Sequence, residues 1–241
     1  MLTFLLTVFG GISTLLFLRL IGFTKFKAGE LFLGTVVFFI SIAIQSVTQQ
    51  LPFLYLIFSR LVEGPTELNK YIAQGGIITI FIVSLWLGFI AGLVQSGFKY
   101  LFIKSKNYTD ALNLGLGFGI TEALYIGAIG MLATLLSGLE VPTTATYMQL
   151  VSALERFSAT LFHIGSSLFI VDMIKKNKRL TGLLTIILLH GVLDTLAALY
   201  QLTGNFVVLL LVEFLVFLAG LFLTLKLYRY ALTGSPEEII W

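Results

Sequence analysis

Cysteine is absent from the 241 residues, and only four prolines and two histidines occur. The first absence excludes a disulfide framework, thiolate nucleophiles and thiolate metal sites. Charge is scarce too: Asp, Glu, Lys and Arg make up 11% of the chain, against 58% hydrophobic residues, and mean hydropathy is +1.01. A soluble fold cannot hide so much apolar surface, so the chain reads as an all-α, polytopic membrane protein. No Pro/Gly/Ser-rich linker separates its equally apolar halves, which predicts one integral domain over residues 1–241.

What is present in quantity is long apolar runs. Stretches of about 20 apolar residues give seven expected spans, at 2–22, 31–58, 77–102, 111–138, 150–174, 180–200 and 206–228. The first lacks a basic leader region and a small-residue cleavage site, so it reads as a retained helix. Basic residues fall unevenly. Arg19, Lys25, Lys27, Lys99, Lys104, Lys106, Lys175, Lys176, Lys178, Arg179, Lys226 and Arg229 flank alternate loops or the tail, whereas Arg60 and Lys70 lie on the other side. The positive-inside rule then predicts an N-terminus outside and a C-terminus in the cytoplasm. The net charge of +3 belongs to this belt and asks for no nucleic acid. The tail carries Ser235-Pro236 and ends at Trp241, with no lipidation signal.

Against this background the ionisable residues inside the spans stand out. His163 and His190 both lie near the middle of apolar segments; Asp194 follows His190 by four residues, on the same helical face, and Glu155 and Arg156 precede His163 by about two turns. Glu122 has a similar depth, about 17 Å from the cytoplasmic end of its span at 1.5 Å per residue. Each such group costs roughly 2.5–3.5 kcal/mol at the centre of a membrane helix, which points to a buried polar site. If the three helices turn these faces to one another, the groups form a column from the midplane outward. Gly88/Gly92 and Gly115/Gly119 are small-residue steps that let helices approach closely, by packing alone or by loosening the helix beside the site.

Two kinds of chemistry suit these residues. A metal such as zinc can be held by His163, His190 and Glu122 with a position left for water, or a carboxylate can activate water while the imidazoles stabilise an oxyanion. The HExxH signature is missing, and the pair Glu155–Arg156 suits a folding ion pair as well as a site role.

Read in order, AGLVQSGFKYLFIKSKNYTDALNLGLGFGITEALYIG (91–127), ALERFSATLFHIGSSLFI (153–170) and LLHGVLDTLAAL (188–199) resemble the YhfC family of intramembrane peptidases, itself distantly similar to the CAAX prenyl protease and bacteriocin-processing group. The resemblance implies a site of Glu122, Glu155, Arg156, His163, His190 and Asp194, while Zn2+ as a cofactor is the expectation that the two imidazoles and a carboxylate raise. It also implies a Glu-Glu pair with a following basic residue on the third span and a His in the Gly-rich stretch of the fourth. Here those positions read Gln95, Ser96, Lys99 and Phe118. An amide cannot take a proton from water, so Glu122 or Glu155 is left as the base, while Gln95, Ser96 and Lys99 suit substrate binding.

The implied substrate is a membrane-embedded or lipid-anchored peptide, and the implied location a prokaryotic plasma membrane. Two alternatives come from other classes: a catalytically inactive relative that binds and regulates a membrane protein or lipid, and a proton- or cation-coupled transporter using Glu122, His163, His190 and Asp194 as a relay. Against the transporter, seven spans show no inverted repeat in the hydropathy.

Overall fold

The computed structural model describes residues 2–54, 72, 74–137 and 146–233. Among these residues seven α-helices follow one another: α1 Leu2–Leu20, α2 Ala28–Gln50, α3 Gly76–Ile103, α4 Tyr108–Ser137, α5 Thr146–Lys175, α6 Arg179–Thr203 and α7 Phe206–Thr233. A 3-10 turn, Leu51–Phe53, extends α2, with Pro52 early in it, where a missing N–H costs nothing. No strand occurs among the described residues. In lipid only such internally bonded helices, or a closed barrel, satisfy the backbone.

Among the described residues six segments are long and apolar enough to cross a membrane: Ala28–Phe53, Gly76–Ile103, Tyr108–Leu136, Leu150–Lys175, Arg179–Thr203 and Phe206–Thr233. The first helix contributes a shorter apolar stretch, Phe4–Leu20. Six of the seven expected spans correspond to these segments, and the first expected span to α1, Leu2–Leu20. Residues 55–58 of the second expected span, residue 138 of the fourth, the basic residues Arg60 and Lys70, and the tail from residue 234 lie outside the described residues.

Local signals stop and start the helices where the sequence changes character. After α1, Gly22 has φ +91°, Phe23 N–H donates to Leu18 O and Gly22 N–H to Arg19 O, which is the double bond pattern of a Schellman cap. Asn177 takes the same left-handed role after α5 at φ 58°, with Lys178 N–H donating to Met173 O. Asn107 caps α4 by accepting from the Asp110 N–H at 2.9 Å.

The helices group into two compact units. The first holds Met1–Phe38, Lys99–Arg179 and Val216–Trp241, and the second holds Phe39–Phe98 and Leu180–Leu215. In the first, α1, α4 and α5 pack on one another, and α5 is the innermost helix, with Leu161, Ile164, Leu168 and Ile170 fully buried. Glycines set the spacing of α4 on α5: a Cβ on Gly115 would lie 2.6 Å from His163 O, and one on Gly119 2.7 Å from Thr160 Cα. In the second unit α3 and α6 meet in the same manner. A Cβ on Gly92 would lie 2.5 Å from Gly191 N, and one on Gly88 would strike the Thr195 backbone. These are the small-residue steps picked out in the sequence, and in both units they let backbones touch.

Candidate functional site

In the first unit, the approach of α4 to α5 brings Glu122 against His163. Glu122 Oε2 is 2.6 Å from His163 Nε2, and Glu122 Oε1 is 3.3 Å from Arg156 Nη1. The Arg156 guanidinium also pairs with Glu155. On the other side of the imidazole, Lys99 Nζ is 3.1 Å from His163 Nδ1 and donates to Ser166 Oγ at 2.7 Å.

The partners define the protonation of the ring. An ammonium only donates, so His163 Nδ1 accepts, and the Nε2–H donates to the Glu122 carboxylate. His163 is a neutral imidazole held between a cation and an anion. Two cations, Lys99 and Arg156, face two carboxylates, Glu122 and Glu155, and the formal charges cancel. Lys99 is fully buried, and Arg156 and His163 are nearly so; the Glu122 side chain keeps 16% of its surface exposed. Phe118 seals the cluster, its ring centroid 4.6 Å from that of His163 and 5.4 Å from Lys99 Nζ, a distance at which cation and ring attract.

The second unit has its own cluster, centred on His190 of α6. Ser96 Oγ is 3.1 Å from His190 Nδ1, and Asp194 Oδ2, one turn further along α6, is 3.6 Å from His190 Nε2. The backbone contact of Gly92 with Gly191 produces the first pairing, because Ser96 is one turn beyond Gly92 and His190 adjoins Gly191. Beside it, Gln95 Nε2 donates to Gln45 Oε1 of α2 at 2.9 Å, while Gln95 Oε1 is buried with no hydrogen-bond partner among the described residues. Ser96, His190, Gln95 and Gln45 are all buried.

Of the expected site residues, the first unit thus brings together Glu122, Glu155, Arg156 and His163, with Lys99 added, and the second brings together Ser96, His190 and Asp194, with Gln95 beside them. Gln45 and Ser166 escaped the sequence reading. Their signal was weak: single uncharged polar residues in apolar helices, which bind a backbone carbonyl of their own helix as often as a distant side chain.

The expected metal set was His163, His190 and Glu122. His163 and Glu122 meet in the first unit, and among the described residues no group of three His, Asp or Glu is placed to hold a metal ion. The donors of the first unit do not suit a divalent ion. Both His163 nitrogens are engaged, both Glu122 oxygens face donors, and two buried cations stand within the cluster. Phe118, where the resemblance implies a His, offers no ligand.

Comparison with known proteins adds a direct test of the resemblance. A family model described as YhfC intramembrane metalloprotease matches residues 138–216, a stretch holding Glu155, Arg156, His163, His190 and Asp194 but not Gln95, Ser96, Lys99 or Glu122. An uncharacterized membrane protein, YhfC of Bacillus subtilis (strain 168), is 26% identical over 183 residues, covering 61% of this chain and 70% of that protein. No solved structure matches. Six membrane-length apolar helices among the described residues make the chain an integral membrane protein, and these two matches make it similar to the YhfC family, as its motifs imply.

Proposed function

We propose that this chain is an intramembrane peptidase in which a carboxylate, Glu122, activates water. The observation that carries the reading is the 2.6 Å contact between Glu122 and His163, placed in a membrane-spanning helix pair and flanked by two cations. Glu122 keeps 16% of its side-chain surface exposed against 3% for His163, so water and a substrate carbonyl reach the carboxylate more readily than they reach the imidazole. In the reaction Glu122 takes a proton from water, the water oxygen adds to the amide carbon, and the carbonyl oxygen gathers negative charge opposite the cationic side of the cluster. The proton then passes to the departing nitrogen as the C–N bond breaks, giving an acid and an amine. His163, fixed by Lys99, orients the carboxylate. The zinc that the family's description suggests takes no part in these steps, because the donors of this cluster are already committed.

The substrate class follows from the surroundings. A peptide bond inside lipid must leave its helix to be attacked, and its freed backbone groups need polar partners. A membrane-embedded or lipid-anchored peptide meets that requirement.

One observation favours a second reading, a non-catalytic regulator. Gln95, where the resemblance implies an acid, pairs with the buried amide of Gln45, and amides bind without transferring protons. The two readings separate in proteoliposomes carrying a library of quenched transmembrane peptides. The peptidase reading expects cleavage that survives chelators and falls at least about 100-fold in Glu122→Gln, the lower end of general-base contributions. Loss of cleavage on chelation with recovery on adding Zn2+ would sink the carboxylate mechanism. Absence of cleavage, with Glu122→Gln indistinguishable from wild type in cells, would move the regulator ahead.

A further inference from the structure

Away from the buried polar clusters, the first unit carries an excess of positive charge where α7 ends. The geometry points to a binding surface there for the headgroup of an anionic phospholipid, centred on Lys226 and Arg229 of α7. Neither residue belongs to the Glu122 or the His190 cluster, so the surface is independent of the peptidase reading.

The carboxylates at this end are already committed. Lys27 pairs with Asp110 at 2.6 Å, Lys106 with Glu30 at 2.6 Å and Lys176 with Asp172 at 2.7 Å. Lys25, Lys175, Lys226 and Arg229 are exposed, and among the described residues no carboxylate pairs with them. Two of these cations reach the end of α7 from other elements. Lys25 Nζ donates to Leu232 O. Lys175 Nζ lies 4.3 Å from the centroid of the Tyr108 ring, which packs on Tyr230 of α7 with centroids 5.2 Å apart, and Thr109 Oγ1 beside it donates to Ala231 O at 2.7 Å. Like charges gathered around one helix end repel one another, and an anion seated among them relieves that cost.

The face of α7 itself says what kind of anion. Leu218, Phe222, Leu225, Lys226 and Arg229 follow one another at steps of three and four residues, which puts them on one side of the helix, and all five are exposed. The helix is of membrane-spanning length and composition. Lys226 lies about 10 Å before its end at 1.5 Å per residue, with Nζ 5.3 Å from the centroid of the Phe222 ring one turn back. A cation held against lipid at that depth is costly without a counter-charge, and the phosphate of a phospholipid is the anion that a membrane brings there.

The order along this face is that of an amphiphile. The phosphate meets Lys226 and the Arg229 fork, which can hold two of its oxygens, and an acyl chain runs along Leu225, Phe222 and Leu218. A free phosphate would leave that apolar row unused, and a soluble acidic protein could not follow it into lipid. The headgroup carries net negative charge, as in phosphatidylglycerol, because the ammonium of a zwitterionic headgroup would be repelled by Lys25 and Lys175.

The test is native mass spectrometry of the detergent-purified full-length protein with phosphatidylglycerol, or with phosphatidylcholine of the same acyl chains. The expected result is phosphatidylglycerol retained at concentrations where phosphatidylcholine is not. Its affinity should fall at least about tenfold when Lys226→Gln is combined with Arg229→Gln, as for loss of two cations near a membrane surface. Lys27→Gln with Lys176→Gln removes the same formal charge from lysines that already have carboxylates, and should keep the preference. So should Lys226→Arg with Arg229→Lys, which keeps the charge in place. Phosphatidylglycerol should also raise the melting temperature of wild type and leave that of Lys226→Gln with Arg229→Gln unchanged. Equal retention of the two lipids would overturn the proposal. Equal loss of preference in both charge-removing pairs would overturn it too, since net charge and not this face would then select the lipid. Displacement of the lipid by inorganic phosphate or by a polyglutamate peptide would overturn it in favour of a soluble anion. These readouts do not depend on peptide cleavage, so failure here leaves the Glu122 reading untouched and failure of that reading leaves this one intact.

Discussion

The two units share a motif and differ in what surrounds it. Each holds one of the two histidines of the chain, buried in a membrane-spanning helix with a carboxylate on Nε2, Glu122 at 2.6 Å in one case and Asp194 at 3.6 Å in the other. The contrast is on Nδ1, where His163 meets an ammonium and His190 meets a hydroxyl. A cation at Nδ1 occupies the lone pair and makes the ring a fixed spacer between charges. A hydroxyl at the same atom leaves the ring able to accept a proton. The side chain opposite the carboxylate therefore decides whether an imidazole still has a nitrogen that can accept a proton.

The contrast is most exposed to attack at Lys99. Lys99→Met removes one buried charge from a balanced set and should destabilise the protein by about 3–5 kcal/mol, as breaking a buried ion pair does, measured by denaturant unfolding in mixed micelles. An effect below that of Ser96→Ala would show that the first cluster is not held by charge. Next in size are the glycines that create the contacts. Gly115→Ala places a Cβ 2.6 Å from His163 O and Gly92→Ala one 2.5 Å from Gly191 N; each should cost about 1–3 kcal/mol by overpacking, with the first change also reducing peptide cleavage. An equal loss of cleavage in Gly92→Ala would erase the distinction. Ser96→Ala removes one neutral hydrogen bond and should lower stability by only about 0.5–1.5 kcal/mol. The finest measurement is a pair of double-mutant cycles, Lys99 with His163 and Ser96 with His190, in which the coupling of the first pair should exceed that of the second.

Much of this was legible in the sequence, for identifiable reasons. Apolar runs of membrane length fix helices in lipid, so the all-α class and the boundaries of α3, α5 and α6 follow within a few residues. The step from His190 to Asp194 was legible because four residues make one helical turn. The partner of His163 was less so: sequence offsets pointed to Glu155 and Arg156 on its own helix, whereas the carboxylate in contact is Glu122, 41 residues away. Lys99 with His163 and Ser96 with His190 are separated by 64 and 94 residues, and their pairing depends on where glycines let backbones meet, a register that helical periodicity does not contain. The division of the chain into two units left no mark in composition, since the breaks fall inside helices, at Phe38, Phe98 and Leu215, and no linker residues accompany them.

The balanced charges around His163 bear on how the protein is made. Lys99, Arg156, Glu122 and Glu155 are all supplied by translation, and each reaches its partner by folding. The four charges come from three helices, α3, α4 and α5, so the set is not balanced until all three helices have met. The late closure of the network makes its charges a cost to every intermediate in which one of these helices is missing.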